Sequence, residues 1–456
     1  MNTNTHLKKN DVVTLQVTGC SSEGSGVGHH NGQAVFVAGT AAGDAVECLI
    51  IKAKSNYAVG KLLHVLKASP DRIQPDCPVF PRCGGCVFRH ISYDAELRIK
   101  EQRVLDAFTR IGHLNVSLQP IVPSPQADGY RNKAQYPVES VNGRLHAGFY
   151  APFSHRVIDC KSCRLQPPVF APIIQTVARW AEKYKIPVYD ETTGKGLLRH
   201  IYLRRGFATG EMMVCLVING DRIFKEQALV DALLKTDENV KTVLLNTNTE
   251  DTNVVLGETN RVLYGTGYIE DILCGKRFRI SSLSFYQVNH DQAEQLYKTA
   301  AAFALTPNTK TLVDLYCGTG TIGLTMADKV ERLIGVEIVK DAVKDAKINA
   351  QLNGMQNTEF LCADAAAAAL ALQKRDIAPD TVILDPPRKG CDETLLQTVS
   401  DMAPERIVYI SCDPATLARD CAVLTARGYT VQIVAPFDMF PRTSHVETVT
   451  LMTRNK

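Results

Sequence analysis

The chain has 456 residues, 45% of them hydrophobic and 22% charged, a balance ordinary for a soluble globular protein. No apolar run approaches the ~20 residues that cross a bilayer, and residues 1–10 are polar without the core of a secretion signal, so a cytoplasmic protein with no membrane partner is expected. The net charge of +3 conceals an asymmetry: residues 1–165 carry 19 Lys and Arg against 13 Asp and Glu, with eight of the eleven His, a basic portion suited to a polyanion.

Fourteen cysteines without a secretion signal predict thiols, a metal site or catalysis rather than a disulfide framework. A prior of about 150 residues per domain gives three domains, placed at 1–68, 69–282 and 283–456. In the first, short apolar-polar runs at 12–17, 34–37, 45–51 and 58–66 are punctuated by glycines, the pattern of a small OB-like β-barrel suited to RNA. A proline-rich break at 70–81 leads into Cys77, Cys83 and Cys86, the last two separated by Gly84-Gly85. With a distant fourth cysteine, for which Cys160 and Cys163 compete, this is four-thiolate spacing, which zinc and an iron–sulfur cluster both accept. Residues 95–111 read as an amphipathic helix, and 119–277 as an α+β central domain of mixed strands and helices.

From about residue 283 the pattern becomes regular. A helix at 291–303 precedes strands at 311–316, 332–337, 358–362, 381–384 and 406–410, with helices such as 342–352 between them. This is an α/β, doubly wound, mostly parallel sheet. Segments 429–435 and 446–452 are expected as an antiparallel pair at one edge.

The first of these strands runs into Asp314-Leu315-Tyr316-Cys317-Gly318-Thr319-Gly320-Thr321-Ile322-Gly323, a G-x-G-x-x-G loop in the context that motif requires. Glu337 ends the next strand, placed for ribose hydroxyls, and Asp364 follows the third, placed for an adenine amino group. Asp385-Pro386-Pro387-Arg388-Lys389-Gly390 ends the fourth; its double proline fixes a turn and exposes Asp385. A nucleotide loop alone suits a nicotinamide enzyme equally; followed by an acidic-proline turn it resembles the class I S-adenosylmethionine (SAM) methyltransferases. The fifth strand delivers Ser411-Cys412-Asp413-Pro414, a thiol at a strand's C-terminal edge. Uracil C5 is a poor nucleophile until a thiolate adds to C6, and a base must afterwards remove the C5 proton. Cys412 and Glu447 suit those two roles if their strands are neighbours.

Phe285-Tyr286-Gln287-Val288-Asn289, the 314–323 loop, the 385–390 turn, Ser411 to Pro414 and His445-Val446-Glu447-Thr448, in this order, resemble the RNA (uracil-5-)-methyltransferase family. The resemblance implies that Cys412 is the nucleophile, that Glu447 is the base, and that Gln287, Tyr316, Gly318, Glu337 and Asp385 line the SAM site, with Asp364 added from its position. It also implies a [4Fe–4S] cluster on Cys77, Cys83, Cys86 and Cys163, as in the ribosomal RNA members, and a TRAM module in the barrel. On that basis 23S rRNA is the expected substrate rather than tRNA, and the chain is taken as a monomer. Tyr130-Arg131-Asn132-Lys133 and Arg199-His200 are expected to contact RNA. Two rivals remain: a non-catalytic RNA-binding iron–sulfur protein, which need not keep Cys412 and Glu447, and a C5-cytosine DNA methyltransferase. The latter carries its nucleophile in a Pro-Cys context where Asp385-Pro386-Pro387 stands.

Overall fold

A computed structural model describes residues 6–455. The described residues divide into two compact units, one of residues 6–103, 150–156 and 440–445, the other of 104–149, 157–439 and 446–455.

The first unit holds a closed barrel of β1 (Val12–Cys20), β2 (Gly26–His30), β3 (Gln33–Val37), β4 (Ala45–Ala53) and β5 (Tyr57–Lys67), ordered β1-β2-β3-β5-β4. Strict alternation along β1 and β4 sends Val13, Leu15, Val17, Val46, Cys48 and Ile50 into the barrel, where Val35, Val37 and Ala58 meet them. β2 is the strand that hydrophobic alternation does not reveal, because Gly26 and Gly28 replace its inward side chains. A Cβ at Gly26 would collide with Thr40 Oγ1, so glycine is what lets this strand close the barrel. Asp44, fully buried, accepts from the backbone N–H groups of Ala41 and Ser69 and from Arg72. Against the penalty of burial, those donors hold its carboxyl below the usual range. Helix α1 (Tyr93–Arg110) follows the cysteine-bearing turns.

The larger unit contains two seven-stranded sheets. The central one is built from β6 (Lys133–Val141), β7 (Arg144–Tyr150), β8 (Val157–Asp159), β9 (Leu198–Arg205), β10 (Met212–Ile218), β11 (Val240–Thr247) and β12 (Thr259–Gly265), ordered β12-β11-β10-β9-β6-β7-β8. Every residue of β10 is buried. Helices α2 (Phe170–Lys183) and α3 (Glu226–Thr236) lay their apolar faces on this core, with Phe170, Ile173, Val177 and Trp180 contributed by α2 and Leu229 and Leu233 by α3. A hairpin of β13 (Ile269–Leu273) and β14 (Lys276–Ile280) leads to α4 (His290–Ala304).

The second sheet comprises β15 (Thr311–Leu315), β16 (Arg332–Glu337), β17 (Thr358–Cys362), β18 (Thr381–Leu384), β19 (Arg406–Ser411), β20 (Tyr429–Phe437) and β21 (Glu447–Arg454). Between them lie α5 (Thr321–Leu324), α6 (Lys340–Leu352), α7 (Ala365–Lys374), α8 (Glu393–Asp401) and α9 (Pro414–Ala426). The order is β17-β16-β15-β18-β19-β21-β20, parallel from β17 to β19, with β21 antiparallel to both neighbours. The central strands β15, β18 and β19 are almost wholly buried, as expected of a sheet covered on both faces. The strand order reverses between β15 and β18, so a crevice opens outside their C-terminal ends, where ligands of open α/β sheets bind.

Candidate active site

Two chain segments distant in sequence meet through strand pairing. β19 and β21 run antiparallel with Ser411 opposite Thr448, so Cys412, the residue after β19, and Glu447, the first residue of β21, fall next to each other at the same edge. Cys412 is half-buried and Glu447 is 4% exposed. Burial pushes the Cys412 thiol up to about 11, with the Glu447 and Asp385 carboxylates adding to the push and the Arg388 guanidinium, which hydrogen-bonds the thiol, opposing it. Glu447 is held well above the usual carboxylate range by burial and by Asp385, again with Arg388 opposing. Asp385, at the end of β18, retains some surface, yet its carboxyl is enclosed enough that burial pushes it up to about 7. Cys412, Glu447, Asp385 and Arg388 thus form one electrostatic cluster.

The local structure explains how these groups are held. Asp413 caps α9 by accepting from the N–H groups of Ala415 (2.9 Å) and Thr416 (3.2 Å), and Pro414 takes the first turn. Ser411 Oγ donates to the Asp413 carbonyl and accepts from its N–H, closing the turn that carries the thiol. The 385–390 turn is clamped on α9: Thr416 Oγ1 donates to the Arg388 carbonyl at 3.2 Å and Arg419 Nη2 to the Lys389 carbonyl at 3.0 Å. Gly390 (φ 76°) permits this approach, since a Cβ there would meet Arg419 Nη2 and Asp420 Oδ2 within 2.6 Å.

On the other side of the crevice lies the 314–323 loop. Asp314 is 1% exposed at the end of an apolar strand; its Oδ2 accepts from Gly323 N–H at 2.9 Å, and its Oδ1 has no partner among the described residues. Burial pushes its carboxyl up to about 8 despite the Gly323 hydrogen bond, with Asp385 and Glu337 contributing. Tyr316 sits at φ 70°, a strained conformation for a bulky residue, and Gly318 at φ 55°. Glu337 ties the loop to β16: its Oε2 accepts from Gly318 N–H (3.1 Å) and its Oε1 from Val339 N–H (2.8 Å). Ile338 beside it is 64% exposed, an apolar surface at the crevice. The helix expected after this loop is a single turn, α5.

Other expected residues have different surroundings. Gln287 is buried, and its carbonyl accepts from Asn132 Nδ2 at 2.8 Å; the cap of α4 is Asn289, whose side chain accepts from Gln292 N–H. Asp364 caps α7 through its Oδ1, bonded to the N–H groups of Ala366 (3.0 Å) and Ala367 (3.2 Å). Of the groups expected to touch RNA, Arg199 and His200 are 6% and 8% exposed, and Arg199 Nη1 donates to the carbonyls of Asn248 and Glu250. Arg199 is thus tied into the central sheet, and His200 lies buried beside it. Tyr130 and Asn132 are buried too, leaving Arg131 and Lys133 half-buried.

The structure does not support the [4Fe–4S] expectation. Among the described residues no group of three or more His, Cys, Asp or Glu side chains is placed to hold a metal ion. The Cys163 thiol instead hydrogen-bonds that of Cys160, and this contact together with burial raises it far above its ordinary value.

Arg388, Asp314 and Ile338 are the site groups that motif reading left without roles. The first two stand inside recognised motifs, which is the signal that finds them; exposure of Ile338 needed coordinates.

The family described as tRNA (Uracil-5-)-methyltransferase matches residues 210–455, and the TRAM domain matches residues 7–63. An uncharacterized RNA methyltransferase of Clostridium tetani is 42% identical over 447 residues, 98% of this chain and 97% of its own. A second, from Halalkalibacterium halodurans, is 42% identical over 98% of each chain. The crystal structure of Pyrococcus abyssi tRNA (uracil-54, C5)-methyltransferase in complex with S-adenosyl-L-homocysteine aligns with TM-score 0.79 and 25% identity over 97% of this chain and 100% of that one. With a class I methyltransferase sheet, a TRAM barrel and these matches, the chain belongs to the family of SAM-dependent RNA uracil-5-methyltransferases.

Proposed function

We propose that the chain methylates C5 of a uridine in 23S rRNA through a covalent bond between Cys412 and uracil C6. The observation that carries the mechanism is the β19–β21 register, which sets Cys412 beside Glu447 at the crevice. The Cys412 thiol, helped by Arg388, loses its proton to solvent, and the thiolate adds to C6, which makes C5 an enolate carbon. Bound SAM supplies the methyl group at its sulfonium. The Glu447 carboxylate then takes the C5 proton, and the C6–S bond breaks to release the thiolate and 5-methyluridine. A carboxylate made more basic by burial and by Asp385 suits that proton transfer. The uridine must leave any stack before the thiol can reach C6.

The residues present suit SAM. Asp314 offers an unpartnered buried carboxylate oxygen to an ammonium group, and Glu337 keeps lone pairs for ribose hydroxyls beyond its two backbone hydrogen bonds. Tyr316, Gly318, Gln287 and Asp385 line the same crevice in this reading, with Asp364 at its far edge. Asp314→Asn is expected to weaken SAM binding by roughly ten- to hundredfold, the worth of one charge-assisted hydrogen bond, while the ligand-free chain melts no lower. Calorimetric titration with SAM checks this; unchanged affinity removes Asp314 from the site.

Two substrate readings are distinguishable. The 23S reading rests on the barrel and the cysteine pattern. The tRNA reading is favoured by the P. abyssi structure, whose alignment leaves too little of this chain unmatched to omit the barrel. A TRAM-type barrel therefore does not by itself select ribosomal RNA. Methyl transfer from labelled SAM to unmodified 23S rRNA and to unmodified tRNA, with the labelled nucleoside mapped, decides between them. Label in 23S uridine supports the proposal, label only in tRNA replaces its substrate, and label in neither overturns it. The cluster rests on the cysteine spacing, which zinc fits equally, and on the family resemblance, and no step above runs through it. Equal iron and acid-labile sulfide in anaerobically purified protein would restore it, whereas zinc or neither would end it.

A further inference from the structure

Phe153 stands fully in solvent (relative exposure 110%), at the tip of the segment 150–156. A single exposed apolar side chain is ordinary. This one is held out by a built turn. Its backbone is left-handed (φ 57°), an uncommon and strained conformation for a bulky residue. The loop is closed beneath it by Ala151 N–H to the Arg156 carbonyl (2.9 Å) and by Ser154, whose N–H and Oγ both donate to the Ala151 carbonyl. The rings of Tyr150 and His155 stack across the base of the loop at 5.1 Å. A second tie fixes the loop to the Cys83–Cys86 turn, where Gly84 N–H donates to the Tyr150 carbonyl at 3.0 Å. Gly84 suits this approach: a Cβ would meet that carbonyl at 3.2 Å, a tight contact. Segments 79–90 and 150–156 contain no Asp or Glu, while Arg82 and Arg156 are exposed.

The geometry points to Phe153 as a stacking tip for an unpaired base of the RNA substrate, with the exposed Arg156 of its own loop and Arg82 of the tied turn available for the adjoining phosphates. The inference rests on the proposal that the substrate is RNA. An aromatic face offered on a hydrogen-bonded loop, in two segments that carry exposed arginines and no acid of their own, with the nearby Asp76 carboxylate already paired to Arg89, has the two parts of a single-strand binding surface: a stacking platform and a positive path for the backbone. A protein partner would leave the acid-free charge of both segments unused.

The test uses the full-length chain and the transcript, unmodified 23S rRNA or unmodified tRNA, that the wild type methylates. Phe153→Ala is expected to raise KM for that RNA by roughly five- to a hundredfold, the loss of one stacked base, with kcat and KM for SAM unchanged. Phe153→Tyr should keep the wild-type KM. The chain's one native tryptophan, Trp180, is 3% exposed, so Phe153→Trp adds a solvent-exposed reporter whose emission should be quenched as RNA saturates. An unchanged KM in Phe153→Ala, or unquenched Phe153→Trp emission at saturating RNA, overturns the tip while leaving the RNA reading intact. Failure of the wild type to bind either transcript overturns both.

Discussion

Cys412→Ala is expected to lower methyl transfer by about a thousandfold or more and to leave SAM binding unchanged. The thiol is the only group in the cluster of Cys412, Glu447, Asp385 and Arg388 able to form the C6 bond. The remaining three are two carboxyls and a guanidinium, none of which replaces it. Of the groups proposed for SAM, Asp314 and Glu337 belong to β15 and β16 and hydrogen-bond within the 314–323 loop and to Val339, and Asp385, which does face the thiol, keeps its place at the end of β18 when the sulfur is removed. That turn is secured by Ser411 and by the Asp413 cap, so loss of one sulfur from a half-buried position should cost little stability. Single-turnover transfer from labelled SAM, set beside calorimetric SAM binding, separates the effects. Retained turnover would sink the thiol mechanism, and lost SAM binding would show that the substitution disturbed more than the thiol.

Glu447→Gln is expected to slow turnover by roughly 10²- to 10⁴-fold, the usual worth of a positioned base. The defect should differ in kind from that of Cys412→Ala. Addition and methylation can proceed, but the C5 proton has no acceptor, so the protein should accumulate joined to methylated RNA in a band that survives denaturing electrophoresis. The amide also removes a buried acid whose charged form is disfavoured, so the variant should be no less stable than the wild type. The same shifts set a pH dependence. A protonated Glu447 cannot accept the proton, and the Cys412 thiol, pushed up to about 11, must lose one, so kcat/KM should rise with pH through the neutral range. Unchanged turnover in Glu447→Gln, or loss of turnover with no joined species, would remove Glu447 from the proton-abstraction step.

The catalytic sheet was legible because buried parallel strands read as short apolar runs, and because each strand end carried a motif whose chemistry needs neighbours. Cys412 and Glu447 could be paired on chemical grounds before the register of β19 and β21 put them together. What failed to show in the sequence has a common physical reason: the same residue type serves structure or function according to burial. Arg199 looked like a phosphate contact, yet its guanidinium satisfies carbonyls in the central sheet. Asp364 stood where an adenine contact was expected, but a strand-end Asp before a helix is also a cap, and its Oδ1 serves as one. The second barrel strand was invisible because close packing replaced its apolar residues by glycine. Burial of Asp314 with one oxygen unpartnered depends on how β15 is covered, which no local pattern reveals.

The most direct test of the central claim is to offer the wild-type chain SAM and an RNA substrate carrying 5-fluorouridine. Fluorine at C5 leaves no proton for Glu447 to remove, so the reaction should stop after methylation with the base still bonded to sulfur. Peptide mass spectrometry should then find the methylated fluoronucleotide on Cys412 in the wild type and nowhere in Cys412→Ala. Absence of any adduct, under conditions where the same preparation methylates the unfluorinated RNA, would contradict covalent catalysis by Cys412.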